Sequence, residues 1–406
     1  MTLGPIAYVL WKFPKLSETF IVEEFLALER RGISPAIIAC QRQEDSVEHP
    51  GVQALVDRAL WIEELTRRAR LAAVLATITR HPWRSLACAA VVARHPSRLA
   101  LVDLGRALVV AHLVAKREIR YLHAHFADVA GEVAYFASRL AGVPFGVTVH
   151  GADLYVRQGT LRRVLGSAAL RVTVCRYNVE QIVERCPGIA AGDVLVKYAG
   201  VDTARVRLEE PRPARPGKVI VGVGRLEEKK GFDVLVRAVG LLSLTHDPEV
   251  RCRIAGSGSE EEPLRKLIAR LGLTERVELI GDISPGDVME LLAGADVLAA
   301  PCRIASWGDR DSMPVVLKEA MAMELPVVAS DAFGIPELVE PGSGALVPPG
   351  EPEALAGALA AVLRSPPEER SAMGKLGRRI VEERFCEDMG AELLAGAIAG
   401  VLGEEP

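Results

Sequence analysis

The sequence predicts an α/β protein made of two doubly wound, parallel-sheet domains, and three observations carry that reading. Short apolar runs alternate with segments of helical period from one end to the other, as parallel strands covered by helices require. At 406 residues the chain exceeds what one hydrophobic core ordinarily fills. Near its middle, Pro211-Arg212-Pro213-Ala214-Arg215-Pro216-Gly217 interrupts the alternation with three prolines and a glycine, which oppose helix and strand alike.

In the first half, strands are expected near 5–10, 35–40, 120–125, 145–149, 170–175 and 194–198, with helices over 17–32, within 65–118 and over 127–141. The second half restarts with Lys218-Val219-Ile220-Val221-Gly222-Val223-Gly224, an apolar strand ending in glycine. It continues with strands near 249–255, 276–280, 296–300, 326–329 and 345–348. The segment from Pro367 to Leu402 is helix-forming, and Pro366-Pro367-Glu368-Glu369 supplies the proline and acids of a first turn. The domains are therefore set at 1–205 and 206–386, with a final helix over 387–406 folding back on the first.

Half the residues are hydrophobic and a quarter charged, which suits two globular halves. The net charge of −4 hides a polarity: residues 65–120 hold eleven Lys and Arg against Asp103 and Glu118, a net +9. Such a face suits an anionic membrane surface or a polyanionic acceptor, and an ordinary solvated helical surface accounts for it equally well. Seven scattered cysteines without a C-x-x-C spacing argue against a disulfide framework and against zinc. The N-terminus runs straight into the strand-like Pro5-Ile6-Ala7-Tyr8-Val9-Leu10 with no export signal. The longest apolar stretch, 99–115, is broken by Asp103 and Arg106. The expected location is the cytoplasm, with any membrane contact peripheral at its inner face.

Two clusters in the second half carry chemistry. Gly224-Arg225-Leu226-Glu227-Glu228-Lys229-Lys230-Gly231-Phe232 joins a strand to a helix, so free backbone N–H groups gather at the carboxyl edge of the sheet, where anions bind. Arg225 and Lys230 add two cations suited to a diphosphate; the plain alternative is a solvated basic pair. Further on, Asp309-Arg310-Asp311-Ser312-Met313-Pro314-Val315-Val316-Leu317-Lys318-Glu319 reads as a helix start, with Asp311 and the amides of Met313, Pro314 and Val315 facing a ligand. On one helix Asp311 and Glu319 share a face about 12 Å apart, the span between the sugar and ribose of a nucleotide sugar. Otherwise Asp311 is only an N-cap and Glu319 a paired surface acid. His123 and His125 alternate on a predicted strand and share a face, yet no third ligand is spaced to join them, so metal is not expected.

These motifs, with Gly256-Ser257-Gly258, Pro314-Val315-Val316-Leu317-Lys318-Glu319-Ala320-Met321-Ala322 and Gly334-Ile335-Pro336-Glu337-Leu338-Val339 in that order, resemble the retaining GT-B glycosyltransferases of family 4. Phe13-Pro14-Lys15-Leu16-Ser17-Glu18-Thr19-Phe20, His123-Ala124-His125-Phe126-Ala127 and Val149-His150-Gly151-Ala152-Asp153 are similar to its exopolysaccharide, colanic-acid-like branch. The resemblance implies a GT-B fold: two facing Rossmann-like domains with a deep interdomain cleft, closing about the 200–217 linker when donor binds. It implies sugar transfer, with retention, from a nucleotide-diphosphate sugar to a glycan, lipid-linked or small-molecule acceptor in cell-surface polysaccharide synthesis. Neither metal nor another cofactor is implied, and no nucleic-acid partner.

By the same resemblance Arg225 and Lys230 bind the donor diphosphate, Glu319 the ribose, and Asp311 and His150 lie beside the transferred sugar; these five form the catalytic set. Gly256, Gly258 and Ile283 border the nucleotide, with Met313, Pro314 and Val315 beside it. Lys15, Ser17, His125, His150 and Asp153 line the acceptor. Asp311-Ser312 departs from the family's usual Glu-Gly by one methylene and one added side chain. Competing readings are a sugar-nucleotide 2-epimerase and a non-catalytic sugar-nucleotide-binding subunit. A dinucleotide oxidoreductase is the weaker fit, since no G-x-G-x-x-G opens either half.

Overall fold

Each apolar run becomes a strand of one of two parallel sheets. A computed structural model describes residues 3–15, 18–43, 51–94, 98–208, 218–245 and 249–404; the proline-rich linker 211–217 lies outside them. The chain divides into two compact units, Met1–Tyr198 with Asp388–Pro406, and Ala199–Glu387. The crossings thus fall at 198/199 and 387/388, against the expected 205/206 and 386/387.

The first unit carries β1 (Ile6–Phe13), β2 (Ala36–Arg42), β3 (Leu60–Trp61), β4 (Tyr121–His125), β5 (Phe145–Val149), β6 (Leu170–Thr173) and β7 (Val194–Val196). They form one sheet in the order β3-β2-β1-β4-β5-β6-β7. Strands β1, β4 and β5 are almost wholly buried, which is why they read as continuous apolar runs rather than alternating ones. The two-residue β3 is too short to give a periodic signal and was not expected. Between β3 and β4 the basic region folds as three helices, Arg67–Arg80, Pro82–Arg94 and Arg98–Lys116, which pack on one another. The third lies along the helix Val129–Ala141, and a Thr77 hydroxyl donates to the Leu108 carbonyl (2.8 Å) to join the first to the third.

The second unit carries β8 (Lys218–Val223), β9 (Val250–Ala255), β10 (Val277–Gly281), β11 (Val297–Ala300), β12 (Val327–Ser330) and β13 (Gly344–Val347), in the order β10-β9-β8-β11-β12-β13. Both orders start in the middle, grow one way, then reverse and grow the other way. The reversal lies between β1 and β4 in one sheet and between β8 and β11 in the other. At such a switch point the loops leave the carboxyl edge in opposite directions and open a crevice, the usual ligand position in doubly wound folds.

The helix Glu387–Leu402 belongs, from Asp388 on, to the first unit. Its Ala391, Leu394, Ala395 and Ile398 are fully buried in the cluster holding Tyr8, Phe25 and Ile37. Leu394→Ala is expected to cost about 2–5 kcal/mol, as removing buried leucine methyls does elsewhere. A denaturant titration followed by circular dichroism checks this, and an unchanged midpoint contradicts it.

Candidate active site

In the second unit the loops after β8 and β11 meet at the switch point. The β8 loop closes through a short 3-10 turn, Glu228–Lys230, and Gly231, whose φ of 66° favours glycine. A Cβ at Gly231 would lie 2.0 Å from the Pro301 carbonyl oxygen, so the two loops touch backbone to backbone. That contact sets two lysines against two aspartates. Lys229 pairs with Asp309 (2.9 Å) and lies 3.5 Å from Asp311, while Lys230 pairs with Asp311 at 2.5 Å. Lys229 and Asp309 are buried.

Burial opposes the charge on Asp311 most strongly, yet Lys230, then Lys229, overcome it and hold its carboxyl down to about 2. Burial likewise opposes the charge on Lys230, and Asp311 raises the ammonium above its ordinary value. Both partners therefore stay ionised across the physiological range.

The expected convergence is present in part. Lys230 and Asp311, both in the expected catalytic set, come together as a direct ion pair; Lys229 and Asp309 complete the cluster and were not anticipated. Arg225 stands on the same loop but is exposed and paired with Glu227. Asp311 is not on the helix: that element runs Val315–Ala322 with Pro314 at its N-cap and no side-chain cap, so the shared-face geometry with Glu319 and the N-cap reading both fall. Proline carries no N–H, so of Met313, Pro314 and Val315 only the outer two have an amide to offer. Glu319 sits half-buried in the second turn. Met313 and the departing Ser312 are buried, and the Ser312 carbonyl accepts from the Gly334 amide (2.8 Å).

Gly256 and Gly258 serve the loops themselves. Gly256 has φ 131° and a Cβ there would meet the Gly224 carbonyl oxygen at 2.1 Å; the Leu226 amide donates to the Ser257 carbonyl (2.7 Å). Ile283 is half-buried beside Asp282, which accepts from the Ser257 hydroxyl (2.6 Å). Loops after β8, β9 and β10 are thus cross-braced along one edge.

In the first unit the switch point holds a second buried cluster. Glu24, from the helix Thr19–Arg30 after β1, accepts from the Tyr8 hydroxyl (2.7 Å) and from Lys197 Nζ (2.8 Å), and bonds His125 Nε2 (3.1 Å). His125 Nδ1 in turn bonds His150 Nε2 (3.0 Å). Burial works hardest against ionising Glu24, yet Lys197 and His125 hold its carboxyl well below the usual carboxylate range. An ionised Glu24 only accepts, so His125 Nε2 carries a proton. Burial, then neighbouring His125, hold His150 well below the ordinary imidazole value, so it is neutral at pH 7. Its ring packs on Phe126 (centroids 4.5 Å) and Phe20 (4.7 Å). Phe126 reaches this position with φ 72°, a strained geometry for a bulky residue and one concentrated at functional sites.

Glu24, His123 and His125 also form a group whose ligand atoms lie within 4.8 Å of one another, so a third candidate ligand does join the two histidines. The chemistry of the set does not fit a cation. His123 spends Nδ1 on the Tyr121 hydroxyl (3.1 Å) and Nε2 on Thr148 Oγ1 (2.8 Å), His125 spends both nitrogens, and Lys197 already neutralises Glu24.

Asp153 differs from expectation. It is fully buried, and its carboxylate accepts from the amides of Ala127 (2.9 Å), His150 (3.1 Å) and Gly151 (3.1 Å), so it clamps the β4 and β5 loops instead of meeting an acceptor. Lys15 is half-exposed and pairs with Glu18 at 2.5 Å. Ser17 lies outside the described residues.

Comparison with known proteins places this geometry. A family model described as glycosyl transferases group 1 matches residues 208–380. A GDP-mannose-dependent alpha-(1-6)-phosphatidylinositol monomannoside mannosyltransferase of Mycolicibacterium smegmatis is 30% identical over 302 residues, covering 71% of this chain and 78% of the relative. The chain belongs to the group 1 glycosyltransferases. A further relative, named for colanic acid biosynthesis in Escherichia coli K12, is 29% identical over 405 residues and spans 95% of this glycosyltransferase and 97% of the relative. The crystal structure of Anabaena HepE in complex with UDP aligns with a TM-score of 0.72 over 98% of this chain and 100% of that one, at 19% identity, which establishes the fold as GT-B.

Two expectations follow. Asp153→Ala strips three amides of one buried acceptor and should cost about 3 kcal/mol or more, read as a lowered melting temperature. Asp311 has a folded value near 2 against an unfolded value near 4, so its ionisation stabilises the fold by roughly 2 kcal/mol above about pH 4 and that contribution is lost as pH falls through about 2. The stability gap between wild type and Asp311→Asn should then be constant from pH 5 to 8 and shrink in acid; a gap that grows in acid contradicts the pairing.

Proposed function

We propose that this glycosyltransferase moves a sugar, with retention of anomeric configuration, from a nucleoside diphosphate sugar bound by the second unit to a hydroxyl of a glycan or lipid-linked acceptor bound by the first, in the assembly of a cell-surface polysaccharide. The observation that carries the reading is the Lys229, Lys230, Asp309 and Asp311 cluster at the switch point of the second sheet. The UDP held by HepE, the GDP-mannose named for the mycobacterial relative, its phosphatidylinositol mannoside acceptor and the colanic acid pathway of the Escherichia coli relative support it.

In the reaction the anomeric carbon–phosphate oxygen bond breaks and its electron pair stays on the leaving diphosphate. The acceptor oxygen bonds the same face of that carbon, and its proton passes to the departing phosphate oxygen. No separate base is then needed. Lys230 and Arg225 stabilise the charge growing on the diphosphate, a preorganised electrostatic effect. Glu319 holds the ribose, Asp311 the sugar, and the neutral His150 ring is assigned to the sugar as well. Because these cations supply the charge, no resident metal takes part.

Lys230→Ala should lower kcat by about 10²–10³-fold, as loss of one such donor does elsewhere. Glu319→Ala should act mainly by raising the donor KM. Radiolabelled transfer assays check both, and unchanged turnover in Lys230→Ala refutes the donor-site assignment. Transfer should persist in excess EDTA; its complete loss, restored by a divalent cation, overturns the metal-free reading.

A further inference from the structure

Of the three helices inserted between β3 and β4, the first two bury few and mostly small side chains and expose large apolar ones. Among the described residues fifteen large apolar side chains are exposed, and eight of these fall between Leu71 and Val102, so they form a local concentration rather than a scatter. The helix Arg67–Arg80 buries Ala73 and Thr77 and leaves Leu71, Leu75 and Ile78 exposed. Those three follow the i, i+4, i+7 spacing of one helical face, the apolar stripe that an amphipathic helix ordinarily turns away from water. The next helix buries Cys88 and Val92 and exposes Trp83 (80%) and Leu86 (60%). Leu99, at the start of the third, is 71% exposed.

Charge narrows the choice of partner. The same segment carries the net +9, with Arg67 and Arg68 opening the face that Leu71 and Leu75 continue. A pocket of about 370 Å³ separates the first and third helices from the ends of β2 and β3, lined in part by Arg70, Val74, Val102 and Arg106. Val102 belongs both to this pocket and to the exposed patch, so the two are continuous. Arg106 pairs with the buried Asp103 (2.8 Å), whereas Arg70 has no carboxylate partner among the described residues. Exposed leucines and a tryptophan ringed by arginines match a negatively charged bilayer: apolar side chains enter the acyl boundary, tryptophan favours the headgroup level, and guanidiniums meet lipid phosphates. Among the described residues no helix is long and apolar enough to cross a membrane.

We propose that the faces of the helices Arg67–Arg80 and Pro82–Arg94 bearing Leu71, Leu75 and Trp83 seat the first unit on an anionic phospholipid bilayer, with Arg67, Arg68 and Arg70 on the lipid phosphates. The inference is independent of the sugar-transfer reading, since partition onto lipid needs no donor.

The test is sedimentation of the full chain with vesicles of phosphatidylcholine alone and of phosphatidylcholine mixed with phosphatidylglycerol. Binding is expected to the mixed vesicles and to weaken as salt rises. Leu71→Ser with Leu75→Ser should reduce partition roughly tenfold or more, and each of Arg67→Glu, Arg68→Glu and Arg70→Glu about fivefold or more. Brominated lipid should quench fluorescence in the wild type, and that quenching should be lost in Trp83→Phe. Circular dichroism and transfer to a soluble acceptor should be unchanged in these variants, which separates lost docking from lost folding. Equal binding to neutral vesicles, or undiminished binding by the variants, overturns the proposal. So does a self-associated form that the same substitutions break, found by light scattering with no vesicle binding.

Discussion

A carboxylate held against a lysine out of water is the interaction on which both working edges depend. In the second unit Lys229 and Lys230 face Asp309 and Asp311; in the first, Lys197 faces Glu24. Removing one partner of such a pair strands the other charge in a poorly solvated site, which costs far more than the pair contributes. Each pair also ties segments distant in sequence, so it fixes loop positions as well as charge. Because Lys230 is already matched by Asp311, a diphosphate bound as proposed would compete with a carboxylate for that ammonium instead of meeting a bare cation.

The fold brings these pairs to the right place through strand order. Growth from the middle in both directions leaves one gap per sheet where the loops diverge, and the side chains of both clusters come from elements flanking that gap or leading to it, with His150 after β5 and Lys197 after β7 as exceptions. Tight backbone contacts at Gly231 and Gly256 then brace the loops of the second unit against one another.

Much of this architecture was legible because buried parallel strands are continuous apolar runs, and among the described residues twelve of the thirteen strands stand within a few residues of the positions that pattern predicts. The strand β3 escaped because two residues carry no period. The site was harder to read. Treating Asp311 as helical overlooked that Ser312, Met313 and Pro314 precede the helix, which begins at Val315, so an angular argument failed, and the direct pairing of Asp311 with Lys230 was not foreseen. Glu24 was missed although a signal existed: it lies in the stripe of Ile21, Phe25 and Leu28, where an acid among apolar positions marks a buried, partnered charge. Lys197 left no such mark, since its partner lies 173 residues away. Asp153 was misassigned because sequence cannot tell a carboxylate that binds a ligand from one that binds three backbone amides.

The way the helix Glu387–Leu402 completes the first core sets an order of events during synthesis. The cluster around Tyr8 and Phe25 lacks Ala391, Leu394, Ala395 and Ile398 until those residues leave the ribosome, whereas the second unit is one uninterrupted segment. The half made first is therefore finished after its neighbour: it emerges with an open apolar groove, waits while the second unit is made, and closes only when the helix Glu387–Leu402 docks into it.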